Sequence, residues 1–280
     1  IRVIGTSVNP VDWKIRQGHL KQMLPFPFPF IPGWDVSGVV HEVGSRVAKF
    51  KVGDPVFSRP DIARNGTYAQ FVAVREGEVC RKPRTISHVE AGVLPLAGIA
   101  AWEAIITVAK VVAGQRVLIH GAAGGVGSLA VQLAKSRGAY VIGTGSGTNR
   151  NLIESLGADE FLDYREKRLP DATRDIHVVF DTIGGVTQTA SWAVMAPFGL
   201  MVSIVSKPDE SQAGRPDLRG AYVFIKPNAA VLEQIAQLVD EGKLRPLVGA
   251  EFSLKDIQRA HLLSESGHAR GKIAVYVNRP

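Results

Sequence analysis

Hydrophobic positions change rhythm twice along this chain. Residues 1 to about 91 carry short apolar runs bounded by Gly and Pro, such as Gly38-Val-Val-His-Glu-Val43 and Val56-Phe57. These predict strands, and Ile1-Arg-Val-Ile4 opens on the same pattern. Lys51-Val-Gly-Asp54 reads as a turn. Leu24 to Gly33 has Pro at alternate positions, which excludes helix and predicts an extended loop wrapping a barrel edge. The first residues lie inside a strand-like pattern, so residues upstream of Ile1 are expected to be missing.

From about Pro95 to Tyr222 the pattern alternates between strand and helix. Arg116–His120 is strand-like. Val126, Ala130, Leu133 and Ala134 then form a stripe at helical spacing that Gly138 stops. Tyr140–Thr144, Phe161–Asp163, His177–Asp181 and Leu200–Val205 are further strands, with a short helix over Leu152–Gly157. Repeated strand–helix units predict an α/β, doubly wound parallel sheet with helices on both faces. The tail adds one amphipathic helix (Val231, Ile235, Leu238, Val239, ended by Gly242) and a last strand, Lys272–Val277. The expected organisation is therefore a β-rich first part over 1–91, the alternating domain over 92–222, and a return to the first domain over 223–280.

The sharpest local signal joins the first strand of the alternating region to its helix. His120-Gly-Ala-Ala-Gly-Gly-Val-Gly127 places Ala122, Gly124 and Gly127 at the three small positions of a G-x-G-x-x-G fingerprint, with alanine at the first. Small residues let the backbone turn tightly and approach a pyrophosphate, and the helix N-terminus offers free N–H groups to that anion. The strand and helix on either side are the context that makes the motif informative. The alternative is a glycine-rich turn that only packs a helix on a sheet.

Charge and composition narrow the rest. The 280 residues hold 33 Lys and Arg against 26 acids, a net charge of +7, scattered with no nucleic-acid tail. A basic surface suits an anionic, phosphate-rich cofactor. Cys80 is the only cysteine, so neither an intrachain disulfide nor a multi-cysteine zinc site is available, which fits a reducing, cytoplasmic setting. The apolar stretch 91–114 is broken by Pro95, Glu103 and Lys110 and reads as buried structure rather than a membrane span. Seven histidines show no metal-ligand spacing and read as surface or loop residues. Nucleophile-elbow and P-loop motifs are absent.

A NAD site usually carries an acid about 20 residues past the glycines, at the end of the second strand. Here that end reads Gly143-Thr-Gly-Ser-Gly-Thr-Asn-Arg150 and contains none. Thr144, Ser146, Thr148, Asn149 and Arg150 offer hydroxyl, amide and cationic donors, which suit a 2′-phosphate. The pattern favours NADPH over NADH. Otherwise the segment is a plain glycine-rich loop with Arg150 solvated.

These residues resemble the medium-chain dehydrogenase/reductase superfamily, and within it the zinc-free quinone oxidoreductase-like branch. The marks run along nearly the whole chain: Val8-Asn-Pro-Val-Asp-Trp-Lys-Ile-Arg-Gln-Gly18, Ile31-Pro-Gly-Trp-Asp-Val-Ser-Gly-Val-Val40, Gly44 with Val52-Gly-Asp54, Gly66-Thr-Tyr-Ala-Gln70, and Leu94-Pro-Leu-Ala-Gly98. The glycine fingerprint, Asp163-Tyr164, Asp181-Thr-Ile-Gly-Gly185 and Gly271-Lys-Ile273 follow. The resemblance implies a Rossmann domain inserted into a GroES-like catalytic domain built from both chain ends. It implies that the backbone of Ala123, Gly124, Gly125 and Val126 cradles the pyrophosphate and that Ser146, Arg150 and Tyr164 surround the 2′-phosphate. Asn9 would face the nicotinamide, with Ile183, Val205 and Phe224 lining its pocket. Zinc-dependent relatives carry a cysteine ligand in the first motif and Gly-His-Glu in the second, where this chain has Val8–Asp12 and Gly33-Trp34-Asp35. No metal is expected. Relatives also carry a threonine where this chain has Ala100.

The implied activity is NADPH-dependent reduction of a quinone or α,β-unsaturated carbonyl by a homodimer, with no nucleic-acid or membrane partner. An enoyl-thioester reductase of the same superfamily, or a low-turnover NADPH-binding sensor or structural protein, are the alternatives. Asn9 and Asp12 are the candidate catalytic residues. Asn9 either orients the nicotinamide or a carbonyl, or satisfies loop backbone beside Pro10. Asp12 either caps the turn that follows or takes part in chemistry. Tyr68 reads as a structural strand residue.

Overall fold

A computed structural model describes residues 1–166 and 168–277. The chain divides into two compact units, one formed by 1–99 with 226–280 and the other by 100–225. The expected boundaries lay a few residues earlier. The first of the observed ones falls inside the helix that starts at Pro95.

The elements follow in chain order. The first stretch gives β1 (Arg2–Val8), α1 (Pro10–Arg16), β2 (Val36–Val39), β3 (Pro55–Ser58), β4 (Val79–Arg81), α2 (His88–Ala91) and α3 (Pro95–Trp102). The middle gives β5 (Arg116–Ile119), α4 (Gly125–Ser136), β6 (Tyr140–Gly145), α5 (Arg150–Ser155), β7 (Glu160–Asp163) and α6 (Leu169–Ala172). It continues with β8 (Ile176–Asp181), α7 (Gly185–Ser191), β9 (Met195–Ser203) and β10 (Arg219–Tyr222). The tail gives α8 (Ala229–Asp240), β11 (Val248–Ser253), α9 (Ile257–Glu265) and β12 (Lys272–Tyr276).

In the first unit the strand order is β11-β12-β1-β2-β3-β4. The C-terminal β12 pairs antiparallel with β1, Ser7 opposite Ala274, so both chain ends build one sheet. A Cβ at Gly5 would lie 2.5 Å from the His88 carbonyl oxygen, so only glycine lets α2 sit on β1. The strand expected over 38–43 stops at Val39. Val40 instead closes a loop by bonding Asp54 and Gly53 of the 51–54 turn, and Val43 is exposed. The Pro-rich loop is non-helical as expected, and Leu24, Phe26 and Phe30 pack against Ile15, Trp34 and Ile62. The Tyr68 segment is irregular, not a strand: its amides bond the carbonyls of Ile31, Gly33 and Pro32.

The second unit is a parallel sheet in the order β10-β9-β8-β5-β6-β7. Strands 5 to 7 run outward one way, and the chain then returns to lay β8 to β10 on the other side of β5. That reversal opens a crevice at the carboxyl ends of β5 and β8, the place where such sheets bind ligands. Leu118, Ile142, Val179 and Met201 form a dry layer with Trp192 and Val194. On α4 every residue from Gly127 to Ala134 is buried, so Ala130, Leu133 and Ala134 lie in a segment covered on all sides rather than on one stripe, while Val126 lies at the more open first turn. β9 starts five residues before the apolar run at Leu200, because Pro197-Phe-Gly199 hides its first half. Phe198 there takes a left-handed φ of 60°, held by its N–H to Asp217 Oδ2 at 3.0 Å. Among the described residues no helix is long and apolar enough to cross a membrane.

Candidate functional site

In the 100–225 unit the fingerprint forms a tight turn between β5 and α4. Gly121 has φ 62°, and its carbonyl accepts the Gly124 N–H at 2.8 Å. The first helical bond is Ser128 N–H to the Gly124 carbonyl, 2.9 Å. The amides of Gly125, Val126 and Gly127 precede it and are the open donors of the helix start. A Cβ at Gly127 would fall 2.2 Å from the Gly121 oxygen, so this glycine is needed for packing. A Cβ at Gly124 would meet only that oxygen, at 3.1 Å, so the turn itself does not demand glycine there. Ala122 and Ala123 are buried under the turn, while Gly124, Gly125 and Val126 are partly open to solvent. The backbone cradle therefore fits a pyrophosphate group.

The loop after β8 closes on the same turn. Thr182 Oγ1 donates to the His120 carbonyl at 2.8 Å, and Gly121 lies against Thr182 and Ile183. Asp181 holds this arrangement from inside the protein. Its Oδ1 accepts the amides of Ile183 and Gly184 at 2.9 and 2.8 Å, and its Oδ2 accepts from Gln188 and Ser203, both at 2.8 Å. Val205 lies against Gly184, and the Val223 N–H bonds the Ser203 carbonyl at 2.9 Å, bringing Phe224 to this end. Ile183, Val205 and Phe224 are all exposed apolar side chains. The structure thus gathers the predicted pocket residues of this unit at one end of the sheet.

Beneath the turn, His120 follows directly on β5 and is buried rather than at the surface. Ser191 donates to the Thr187 carbonyl, so it accepts from His120 Nε2 at 2.8 Å, and Thr144 faces Nδ1 at 3.2 Å. Burial pushes this imidazole down to about 4, so it is neutral. The Thr144 hydroxyl is turned inward on His120, and Thr144 itself is buried.

Past β6, Asn149 Nδ2 donates to Ser146 Oγ at 3.1 Å, and Thr148 shares that hydroxyl at 3.1 Å. Tyr164 is exposed beside this loop, its N–H 3.4 Å from the Gly145 carbonyl. Arg150 lies over the Phe161 ring at 4.6 Å and pairs with Glu154 at 3.5 Å, turned back along its own helix. The loop has no acid of its own, yet a Cβ at Gly147 would lie 2.7 Å from Asp163 Oδ2. That neighbour comes from β7, outside the stretch where an acid is sought in the sequence.

The other unit concentrates buried charge. Asp35 accepts from Ser7 at 2.5 Å, Asn9 Nδ2 at 2.7 Å, the Leu96 amide at 2.6 Å and Lys272 Nζ at 3.3 Å. Lys272 also donates to Asn9 Oδ1 and to the Val8 carbonyl. The Asn9 amide is therefore held in one orientation, nitrogen on Asp35 and oxygen on Lys272. Asp12 caps α1 by accepting the Asn9 N–H at 2.7 Å, and its Oδ2 also takes the Tyr68 hydroxyl at 2.7 Å. Burial pushes the Asp12 carboxyl up to about 7. Trp34 is fully buried, 6.1 Å from the Phe26 ring. Among the described residues no cluster of three His, Cys, Asp or Glu could hold a metal. Lys272 and His261 were missed by sequence reasoning. A lysine opening the apolar run Ile-Ala-Val carries a faint signal, since lysine is seldom buried without a partner.

Comparison with known proteins agrees with both units. Residues 1–84 match the alcohol dehydrogenase GroES-like domain, and residues 156–275 match the family described as zinc-binding dehydrogenase. The chain is 32% identical to the mitochondrial NAD(P)H oxidoreductase RTN4IP1 of Homo sapiens, over 99% of this chain and 81% of that protein. It is 34% identical to the chloroplastic NADPH-dependent alkenal/one oxidoreductase of Arabidopsis thaliana, over 99% of this chain and 71% of that protein. The solved quinone oxidoreductase of Coxiella burnetii superposes with a TM-score of 0.91 at 33% identity, covering 99% of this chain and 90% of its own. With its two ends forming a GroES-like domain and its middle a Rossmann sheet, the chain belongs to the medium-chain dehydrogenase/reductase superfamily, in the quinone oxidoreductase-like branch.

Proposed function

We propose that this protein is an NADPH-dependent reductase that delivers hydride to a quinone or an α,β-unsaturated carbonyl without a catalytic metal. The observation that carries the reading is the 121–127 turn at the sheet's reversal point, with its open helix amides beside exposed Ile183, Val205 and Phe224. The amides suit the pyrophosphate, and the apolar side chains suit a flat, uncharged ring. The bound nicotinamide would supply the hydride. The residues of the chain bind and orient it. Ser146, Thr148 and Asn149 support the preference for the 2′-phosphate as neutral donors, and Arg150 adds charge from a partly exposed position.

The metal-free reading is supported by what fills the ligand positions. Trp34 sits in an apolar cluster where the zinc branch has histidine, and Asn9 is bound to Asp35 and Lys272. A homodimer in the cytoplasm completes the reading. Titration with NADPH and NADH, followed by an acceptor screen at the NADPH absorbance band with elemental analysis of the same sample, tests it. The expected outcome is tighter NADPH binding, turnover with quinones or enones, and no stoichiometric zinc. Tighter NADH binding, activity on crotonyl thioesters alone, or loss of activity to a chelator with recovery on zinc would each overturn a stated part.

A further inference from the structure

β2 and β3 pair antiparallel with Val36 opposite Ser58, so Arg59 leaves β3 at the end where Trp34 and Asp35 enter β2. Only 3% of Arg59 is exposed. Its guanidinium is a fork of five N–H donors, and it makes no hydrogen bond, ion pair or ring contact among the described residues. Nε is enclosed without a partner. Nη1 and Nη2 are not enclosed, so the small accessible part of this residue includes its two outer nitrogens. Arginine is seldom buried unless paired. The acids that face it are Asp35, Asp61, Glu78 and Asp12, and each is engaged elsewhere. Asp35 accepts from Ser7, Asn9, the Leu96 amide and Lys272. Glu78 pairs with Arg64, Asp61 accepts the Ala63 N–H at 3.0 Å, and Asp12 accepts the Asn9 N–H and the Tyr68 hydroxyl. These neighbours balance the charge of Arg59 from a distance and leave its donors empty.

We infer that Arg59 is a binding site, within the 1–99/226–280 unit, for the carbonyl oxygen of a small uncharged molecule. What the guanidinium lacks is acceptor lone pairs, not opposite charge. Lys272 and Arg64 offset Asp35 and Glu78, and Asp61 stands against Arg59 itself. A carboxylate or phosphate would add negative charge to a group already matched, and it would approach the carboxyl groups that face Arg59. A carbonyl brings lone pairs without that repulsion, and a hydrogen bond from a charged donor is among the stronger kinds. Trp34, at the entry to β2, and Ile62, on the segment after β3, pack in one apolar cluster, which favours an uncharged ligand body. Burial pushes Arg59 below its ordinary pKa, the sign of a cation whose lost hydration the protein's own bonds do not replace. The inference concerns binding within this unit and stands whether or not the protein is a reductase.

The test uses the whole, cofactor-free protein carrying isotope-labelled arginine. Nuclear magnetic resonance follows the Nε–H signal that Arg59→Lys removes. Should that variant fail to fold, Arg59→Met gives the same assignment, and slow exchange with solvent marks the enclosed Nε–H in the wild type itself. Cyclohex-2-enone is the probe. Cyclohexene is the analogue without oxygen, and cyclohex-1-enecarboxylate is the anion of similar shape. The enone should shift the Arg59 signal saturably, and cyclohexene at equal concentration should leave it in place. The carboxylate should bind about tenfold more weakly than the enone. No saturable shift with the enone, an equal shift with cyclohexene, or tighter binding of the carboxylate would each overturn the site as inferred. The reductase reading is tested separately by turnover with NADPH, which this measurement does not use, so either can fail without the other.

Discussion

Asp181 and Asp35 are both fully buried carboxylates, one in each unit, and their surroundings satisfy them in opposite ways. Asp181 draws on two backbone amides, a glutamine and a serine, all neutral and none more than 22 residues away. Asp35 draws on Ser7, Asn9, the Leu96 amide and the Lys272 ammonium, from 26 to 237 residues away. The first is a local knot that ties two strand-end loops together. The second is an ion pair that exists only once both chain ends have met in one sheet. Local polar order can be held by dipoles. Long-range order here carries a full charge and is correspondingly harder to lose without damage.

The largest effect should come from splitting that ion pair. Lys272→Met leaves Asp35 buried without its cation and should cost about 3–5 kcal/mol, and adding Asp35→Asn should recover most of it. Asp181→Asn has no opposite charge to abandon and should cost only about 1–3 kcal/mol. Chemical denaturation of the three variants against the wild type checks the order. Equal losses would remove the contrast.

Titration should separate Asp12 and His120 by sign. Asp12 is about 7 when folded against an ordinary 3.8, so the native state holds the extra proton between those values. Stability from this group is highest in acid and falls by up to about 4 kcal/mol as pH rises through that window. His120 is about 4 when folded against an ordinary 6.5, so there the unfolded state holds the extra proton. Its share is full above about 6.5 and declines by up to about 3 kcal/mol as pH falls through 4. His88, in the first unit with Asp12, is likewise pushed down to about 4 by burial and opposes it, so each group is read against its own variant. Between pH 7 and 4, hydrogen exchange resolved by segment should show Asp12→Asn removing an acid-side gain from the first unit and His120→Asn removing an acid-side loss from the second.

A smaller loss belongs to the glycine turn. Gly127→Val drives a Cβ into the Gly121 carbonyl and should lower stability by about 3 kcal/mol, read as a drop in melting temperature. The smallest effects belong to the loop after β6. Arg150 is half exposed and already engaged by Glu154 and Phe161, so Arg150→Ala should weaken NADPH binding by less than about 1 kcal/mol. Asp163→Asn should raise the NADPH-to-NADH affinity ratio by a comparable amount by removing a carboxylate beside Gly147. Competitive titration of both cofactors reads the two variants.

The same contrast explains what could be read in advance. The parallel sheet, α4, α8 and the turn at 121–127 were legible because their information is periodic or local: apolar spacing, a glycine stop at 138, small residues at fixed offsets. The helices α1, α7 and α9 were not, since short segments lack enough periodicity to outweigh their neighbours. Asn9, Asp12 and Trp34 stood out through the family motif, but their surroundings did not. Lys272 and Tyr68 reach Asn9 and Asp12 across long stretches of chain, His261 reaches Tyr68, and local sequence gives only the faint signal of a lysine opening an apolar run. Asp163 stood out only as part of a family mark, and its place beside the loop was not legible: register between β6 and β7, not sequence distance, sets it there.

Gly124 offers the most direct test of the cofactor cradle. Its φ of −81° suits any residue, and its Cβ direction meets only the Gly121 oxygen, so Gly124→Val should fold with a melting temperature close to that of the wild type. Its side chain should nonetheless intrude where phosphate oxygens approach the helix amides. Fluorescence titration with NADPH, run beside thermal melting on the same samples, is the measurement. The expected result is a folded variant with NADPH binding abolished; a folded variant that binds NADPH as tightly as the wild type would contradict the cradle and the reductase reading built on it.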